Sequence, residues 1–161
     1  MRTIFLILII FFIFAQKHAY TEPKIIKKIS EIENFTFDFE QLINDKKETG
    51  NCIISFNNKM MCKYDETGKL IVSNGKTLLI KNKNSNFANT YKTENTYFKY
   101  FLNKKFLISK IEGNVVEKEQ NFLLSINDQS NRLKIFFDKN NHLIKGWETI
   151  DLYGNKVRTN I

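Results

Sequence analysis

The chain contains few of the residue types from which catalytic and metal sites are usually built. It has two His and two Cys among 161 residues. No Gly-x-Ser-x-Gly elbow, His-Glu-x-x-His pair or glycine-rich phosphate loop occurs in the sequence. His142 follows an Asp-Lys-Asn-Asn turn, where a solvated side chain is the ordinary state. The sequence therefore predicts a protein that is not an enzyme and that needs no cofactor or metal ion.

Arginine is also scarce, although the formal net charge is +8. Of 25 basic residues, only Arg2, Arg132 and Arg158 are arginine. Arginine suits bidentate recognition of phosphates and guanine edges, whereas scattered lysines are typical of the solvated outside of a sheet. The charge therefore does not indicate nucleic-acid binding.

Proline is nearly absent, since Pro23 is the single example. No strand is therefore excluded by a missing backbone donor. The sequence contains no internal repeat and no linker long enough to divide domains. A chain of this length can bury roughly two thirds of its unfolded surface without help from metals. Residues 20–161 are predicted to form one domain.

The one long apolar run lies at the N-terminus, from Ile4 to Phe14. Arg2 precedes it and the small residues Ala15 and Ala19 follow it, which is typical of a secretory signal peptide. The run is shorter than the roughly 20 residues that span a bilayer. We expect residues 1–19 to be a signal peptide, with cleavage after Ala15 or Ala19 and export of the mature protein; a retained anchor is the alternative.

The next segments change period from helical to extended. Lys24–Asn34 (KIIKKISEIEN) places Ile25, Ile29 and Ile32 on one side, which predicts an amphipathic helix that packs on a sheet; a membrane-surface helix is the alternative. From Phe35 the period is two, in NFTFDFEQ. Further strands are predicted at about residues 49–56, 60–65, 69–73, 76–82 and 86–91, and later at 105–111, 114–119, 121–127, 132–137, 142–150 and 155–160.

A short helix rich in aromatic residues is predicted between these two groups of strands. Within Glu94–Asn103 (ENTYFKYFLN), the apolar residues have helical spacing, and Thr93 or Asn95 could cap the helix. The chain is therefore predicted to be mainly β (α+β), an antiparallel meander of roughly eleven strands with two or three helices.

The hairpin LIVSNGKTLLI has two apolar faces. A two-residue Asn74-Gly75 turn would put Ser73 opposite Lys76. That pairing places Leu70, Val72 and Leu79 on one face and Ile71, Leu78 and Ile80 on the other. A hairpin with one face in water should alternate apolar and polar residues. The pattern does not decide which face points inward.

The two cysteines lie on consecutive predicted strands. Pairing Cys52 opposite Cys62, with a turn near Asn57-Asn58, also puts Ile54, Phe56, Met60 and Tyr64 on one face. A cross-strand disulfide is plausible in an oxidising compartment, and two buried free thiols are the alternative. Two Cys without a neighbouring His or Cys do not make a zinc site.

The order of these segments resembles the outer-membrane lipoprotein carrier proteins, the LolA-type periplasmic chaperones. The matching residues of the first strands and of the hairpin are Phe35, Phe39, Gln41, Gly50, Tyr64, Asp65, Leu70, Val72, Ser73, Gly75 and Lys76. ENTYFKYFLN lies where that family has a lid helix. The matching C-terminal residues are Trp147, Asp151, Gly154, Arg158 and Thr159.

This resemblance implies an incomplete antiparallel β-barrel whose concave apolar side is covered by an N-terminal helix and a short helical lid. It implies a monomer in the periplasm that takes the acyl chains of lipoproteins from an inner-membrane ABC-type lipoprotein-releasing complex to an outer-membrane receptor, without a cofactor. The candidate residues for the apolar cavity and the lid are Phe39, Ile54, Phe56, Met60, Tyr64, Leu70, Val72, Leu79, Tyr97, Phe98, Phe101, Leu102 and Trp147.

Two departures from the family pattern concern the lid. Phe56-Asn57 stands where many members have an Arg-Pro pair that latches the lid, and Asn95-Thr96 replaces a Pro at the start of the lid helix. Alternative functions are a periplasmic lipid- or glycolipid-binding protein and a non-enzymatic sensor or interaction module. A receptor lipoprotein of this fold would need a Cys at the cleavage site, and the sequence has none there.

Overall fold

The computed structural model describes residues 21–44, 46–56, 58–127, 132–151 and 154–161. The predicted signal peptide, residues 1–19, lies outside the described residues. In the part of the chain that is described, no helix combines the length and the hydropathy that crossing a membrane requires.

One antiparallel sheet contains eleven strands. Its strands are β1 (Asn34–Ile43), β2 (Lys46–Ser55), β3 (Lys59–Tyr64), β4 (Leu70–Ser73), β5 (Thr77–Lys81), β6 (Ala88–Lys92), β7 (Val115–Glu117), β8 (Phe122–Asn127), β9 (Arg132–Phe137), β10 (Ile144–Ile150) and β11 (Lys156–Asn160). Their order in space is β6-β5-β4-β3-β2-β1-β11-β10-β9-β8-β7. The edge strands β6 and β7 do not pair, so the barrel is open. The predicted fold class is confirmed.

Among the described residues, three α-helices cover one face of this sheet: α1 (Thr21–Glu31), α2 (Phe98–Leu102) and α3 (Lys104–Ile111). Helix α1 has Pro23 in its first turn, where proline needs no backbone donor. Ile25 and Ile29 of α1 are fully buried. The predicted amphipathic helix is thus confirmed, with its bounds shifted by three residues.

The predicted strand at residues 105–111 is wrong, because this segment forms α3. The side chain of Asn103 accepts a hydrogen bond from the Phe106 N–H at 3.0 Å and caps the helix. Leu107 and Ile111 then fall on the same side of α3, and both are fully buried. Leu107 and Ile111 are four residues apart, which is helical spacing. The strand prediction overlooked this spacing.

The lid helix is shorter than predicted and has no side-chain cap. A 3₁₀ turn, Thr93–Asn95, precedes α2, whose N-cap residue is Tyr97. Thr93 and Asn95 therefore do not cap α2. Instead, the Thr96 hydroxyl donates a hydrogen bond to the Thr93 carbonyl at 2.9 Å, which closes the 3₁₀ turn. We call residues 93–102 the lid segment.

The β4–β5 hairpin differs in register from the prediction but not in its faces. Ser73 pairs with Leu78, not with Lys76. The Asn74 side chain accepts hydrogen bonds from the backbone N–H groups of Lys76 (3.0 Å) and Thr77 (2.8 Å), which orders the turn between β4 and β5. Because side chains alternate with a period of two, a shift of two residues leaves every side chain on its predicted face.

The inner face of the sheet and the three helices enclose the core. The strand pairing aligns inward residues across the sheet, as in the row Phe37, Cys52, Cys62, Ile71 and Ile80. A disulfide joins Cys52 to Cys62. Leu102, Leu107 and Ile111 of the helices are buried against this face. Side chains of the helices and of the inner sheet face therefore form a common core.

Candidate functional site

A cavity of about 340 Å³ lies between the lid segment and the inner face of the sheet. Ile71, Leu78 and Ile80 of β4 and β5 form its apolar wall. Tyr97 and Phe98 of the lid segment cover it. Small-molecule sites in proteins typically have volumes of about 300–1,000 Å³. The cavity can therefore hold an apolar chain of modest size.

The alternation of β4 and β5 decides which side chains reach this cavity. Ile71 and Leu78 are buried, at 7% and 2% exposure, whereas their neighbours Val72 and Leu79 are half-exposed on the outer face. The inner face of the hairpin thus belongs to the residues that the sequence prediction had not proposed as ligand-binding.

A chain of buried hydrogen bonds crosses the sheet beside the cavity. The Tyr64 hydroxyl donates to Gln41 Oε1 at 3.0 Å, and Gln41 Nε2 donates to the Thr159 hydroxyl at 3.0 Å. These bonds tie β3, β1 and β11 together, and they pair polar groups that would otherwise be buried without partners. Burial, followed by Tyr97 and Glu48, raises the pKa of Tyr64, so its hydroxyl stays protonated at neutral pH.

A nearly buried ion pair lies next to this chain. Lys69 Nζ is 2.7 Å from Glu48 Oε2, and their side chains are 19% and 8% exposed. The same ammonium group lies 3.7 Å from the centroid of the Tyr64 ring. Lys69 borders the cavity. Because its charge is matched by Glu48, which lies behind the cavity lining, Lys69 presents no uncompensated charge to a ligand.

Aromatic contacts hold the lid segment closed. The rings of Tyr97 and Phe98 lie 4.2 Å apart, and the Phe101 ring lies 4.8 Å from the Trp147 ring of β10. Trp147 also meets Phe37 edge to face at 5.9 Å. Such pairs add stabilisation beyond their buried area. Helix α2 therefore meets the sheet through aromatic contacts, whereas Thr93, at the start of the lid segment, is hydrogen-bonded to Ser73 (3.2 Å) and to the Lys76 carbonyl (2.9 Å).

The polar ends of two of these aromatic residues lie in the interior. Tyr97 is half-buried as a whole residue, and burial of its hydroxyl, with the nearby Asp151 carboxylate, raises its pKa. The indole nitrogen of Trp147 is also buried, and its interaction with the Tyr97 hydroxyl lowers that pKa, against the larger effect of burial. The polar ends of these two residues therefore lie close together in the interior.

The predicted cavity and lid residues fall into three groups. Tyr64, Tyr97 and Phe98 line the cavity. Other candidates pack in the core around it, namely Phe39, Ile54, Met60, Phe101, Leu102 and Trp147, with Phe56 half-buried at its margin. The structure does not bring the remaining three to the cavity, because Leu70, Val72 and Leu79 lie on the outer face of β4 and β5.

Two charged residues were missed by the sequence analysis, Lys69 of the cavity lining and its partner Glu48. Glu48 pairs with Gln41 across β1 and β2, so strand alternation from Gln41 would have placed Glu48 on the inner face. No comparable signal marks Lys69, which precedes β4 in a turn. Among the described residues, no group of three or more His, Cys, Asp or Glu side chains could hold a metal ion.

Comparison with known proteins gives a family match and similar solved structures. A family model described as outer membrane lipoprotein carrier protein LolA matches residues 30–161. A LolA superfamily protein from Nitrosomonas europaea has a TM-score of 0.43 to this chain at 10% sequence identity, over 87% of this chain and 90% of that chain. A search of curated proteins finds no match. Because the family model spans the sheet, the lid segment and the cavity, the chain belongs to the LolA family of outer membrane lipoprotein carrier proteins.

Proposed function

We propose that this protein binds the acyl chains of lipoproteins in its cavity and carries them through the periplasm from the inner to the outer membrane. The observation that supports this most strongly is the cavity of about 340 Å³, with an apolar wall of Ile71, Leu78 and Ile80 beneath an aromatic lid. Membership of the lipoprotein carrier family supports the choice of cargo.

The energetics of the cargo explain why such a cavity is needed. Each methylene moved from water to an apolar site contributes about 0.8 kcal/mol, so ten methylenes correspond to roughly 8 kcal/mol. Release at the destination requires that part of this favourable free energy be offset by a cost in the carrier when the acyl chain binds. Opening the lid segment supplies one, because it separates Phe98 and Phe101 from their buried contacts.

Loading also requires a moving part, because most of the interior is occupied. Phe101 and Leu102 of the lid segment are buried, at 3% and 1% exposure. Helix α2 is only five residues long and has no side-chain N-cap, so it depends on these apolar contacts more than on its own hydrogen bonds. Its displacement would join the cavity to the space that Phe101 now fills.

The route of the protein follows from its proposed cargo. Residues 1–19 would direct export as a signal peptide and be removed, leaving residues 20–161 as a single carrier domain. An inner-membrane ABC-type lipoprotein-releasing complex would load the protein, and an outer-membrane receptor would unload it. The protein would act as a monomer and turn over no covalent bond.

The direct test is to express the complete chain with export, purify it from the periplasmic extract and identify bound species by native mass spectrometry. A diacylated or triacylated protein bound to the carrier is the expected result. A free phospholipid or glycolipid in its place would favour the lipid-binding alternative. A protein that carries no acyl species and takes up no apolar fluorescent dye would contradict both.

A further inference from the structure

The outer face of β2–β5 carries an uninterrupted row of aliphatic side chains. The strand register pairs Ile53 with Met61, Met61 with Val72, and Val72 with Leu79. Met61 and Ile53 are 48% and 42% exposed, and Val72 and Leu79 are half-exposed. With neighbouring strands about 4.8 Å apart, this outer apolar row spans roughly 14 Å.

Lysines flank the outer apolar row on both sides. On one side lie Lys63 and Lys81, which pair in register with Leu70, and on the other lie Lys59 and Lys92. No residue of β3–β6 is Asp or Glu. Lys92 lies 3.8 Å from Glu94, and no ion pair joins the other three lysines to a carboxylate within the described residues. The face therefore combines exposed apolar groups with positive charge.

We propose that the outer apolar row docks this protein on a phospholipid bilayer surface that carries anionic headgroups. Met61 and Ile53 would enter the interfacial region, and the flanking lysines would lie at the headgroup level. Apolar insertion and electrostatic attraction to anionic lipid together give reversible membrane binding. This binding is separate from the cavity and goes beyond the proposed carrier function.

The composition of the face favours a lipid surface over a protein partner. Protein interfaces are enriched in aromatic residues and Arg and depleted in Lys. Among the described outward-facing residues of β2–β5, none is aromatic and none is Arg. Lysine carries a compact, strongly hydrated charge, which suits diffuse attraction to a charged surface. A second copy of the chain would bring two lysine-flanked faces together and meet repulsion.

The position of the row would orient the carrier. Strands β4 and β5 carry part of the row on their outer face, and their inward residues Ile71 and Leu78 form part of the cavity wall. Docking through β2–β5 therefore holds the cavity-bearing half of the sheet at the membrane surface, where acyl chains leave or enter the bilayer.

The test measures co-flotation of the exported, purified chain with vesicles of phosphatidylglycerol or of phosphatidylcholine. Ile53→Ser/Met61→Ser should weaken binding to phosphatidylglycerol vesicles about tenfold. Lys59→Gln/Lys63→Gln/Lys81→Gln should weaken it about 100-fold, since each lysine near an anionic surface contributes about fivefold.

The matched control is Val116→Ser, which removes a 42% exposed aliphatic side chain from the outer face of β7 at the other end of the sheet. It should change vesicle binding less than about twofold. All variants share the same N-terminus, so a difference in vesicle binding between them reflects the substituted residues of the outer face. Circular dichroism and thermal melting confirm folding, and the three exposed lysine substitutions keep the test decisive if the Ser variant unfolds.

Three results would overturn the proposal. The first is equal binding to both kinds of vesicle, or none to either. The second is binding that neither the row variant nor the lysine variant reduces. The third is absence of vesicle binding together with a dimer, seen by size-exclusion chromatography, that Ile53→Ser/Met61→Ser abolishes, because that would assign the row to a second copy of the chain.

Discussion

Two adjacent leucines of β5 offer a matched test of which sheet face binds the cargo. Leu78 points into the cavity and is 2% exposed, whereas Leu79 is half-exposed on the outer face. Leu78→Ala and Leu79→Ala remove the same three carbons from consecutive positions. We expect the first variant to lose affinity for an acyl chain in solution and the second to keep it.

The magnitude follows from the removed surface. Three carbons at about 0.8 kcal/mol each give about 2.4 kcal/mol if all of them contact the ligand. Leu78 also faces its protein neighbours, so about half of this amount, 1.2 kcal/mol, applies to the ligand and corresponds to roughly eightfold weaker binding. Leu79→Ala should change affinity less than about twofold.

The assay is displacement of an apolar fluorescent dye by a fatty acid, at a temperature where both variants are folded. Leu78→Ala should also lower the free energy of unfolding by about 2–3 kcal/mol, near the lower end for buried leucines because its site already borders a cavity. Correcting for the folded fraction by circular dichroism separates this effect from binding. If Leu79→Ala weakened binding as much as Leu78→Ala, the assignment of the inner face to the ligand would fail.

Three further predictions concern stability, measured by urea unfolding. Lys69→Met should lower the free energy of unfolding by about 2 kcal/mol because it leaves the buried Glu48 with only the longer contact to Lys46, at 4.0 Å, while Lys69→Met/Glu48→Leu should recover most of the loss; equal losses in both would contradict the pairing. Reduction of the Cys52–Cys62 disulfide should cost about 3 kcal/mol for a loop of this length, and an unchanged midpoint would refute it. Because the pKa of Tyr64 is raised in the folded state, the free energy of unfolding should be constant up to about pH 10 and fall above it. The fall should be less steep in Tyr64→Phe, and an equally steep fall in both proteins would contradict the role of Tyr64.

Much of the sheet could be predicted from alternation alone, because the period of two survives errors of register. The observed β4–β5 register is shifted by two residues from that of an Asn74-Gly75 turn, yet Ile71 and Leu78 keep the faces that the predicted turn assigned to them. The same pattern placed Cys52 opposite Cys62, which is the observed pairing.

The inward direction of the hairpin could not be predicted, because both of its faces are apolar. Only the alignment of β4 with β3, and of β3 with β2, connects Ile71 to Cys62 and Cys52 and so to the interior. These pairings depend on contacts between strands. The same pairings align Val72 and Leu79 with Met61 and Ile53, which are exposed, so the candidates Leu70, Val72 and Leu79 lie on the outer face, away from the cavity.

Helix α3 was missed for a local reason. In KKFLISKI, Phe106 and Ile108 are two residues apart, which is the spacing of one strand face. Leu107 and Ile111 are four residues apart, which is the spacing of one helix face. The capping side chain of Asn103 decides between the two. Because Asn103 was interpreted as the end of one helix, its role as the start of the next was overlooked.

The lid segment and α3 occupy the stretch of chain that runs from one unpaired edge of the sheet, β6, to the other, β7. A residue inserted or deleted in this stretch leaves every strand pairing intact. Homologous carriers can therefore acquire roomier or tighter interiors by changing the length of a single crossover, and selection for new cargo need not disturb the folding of the sheet.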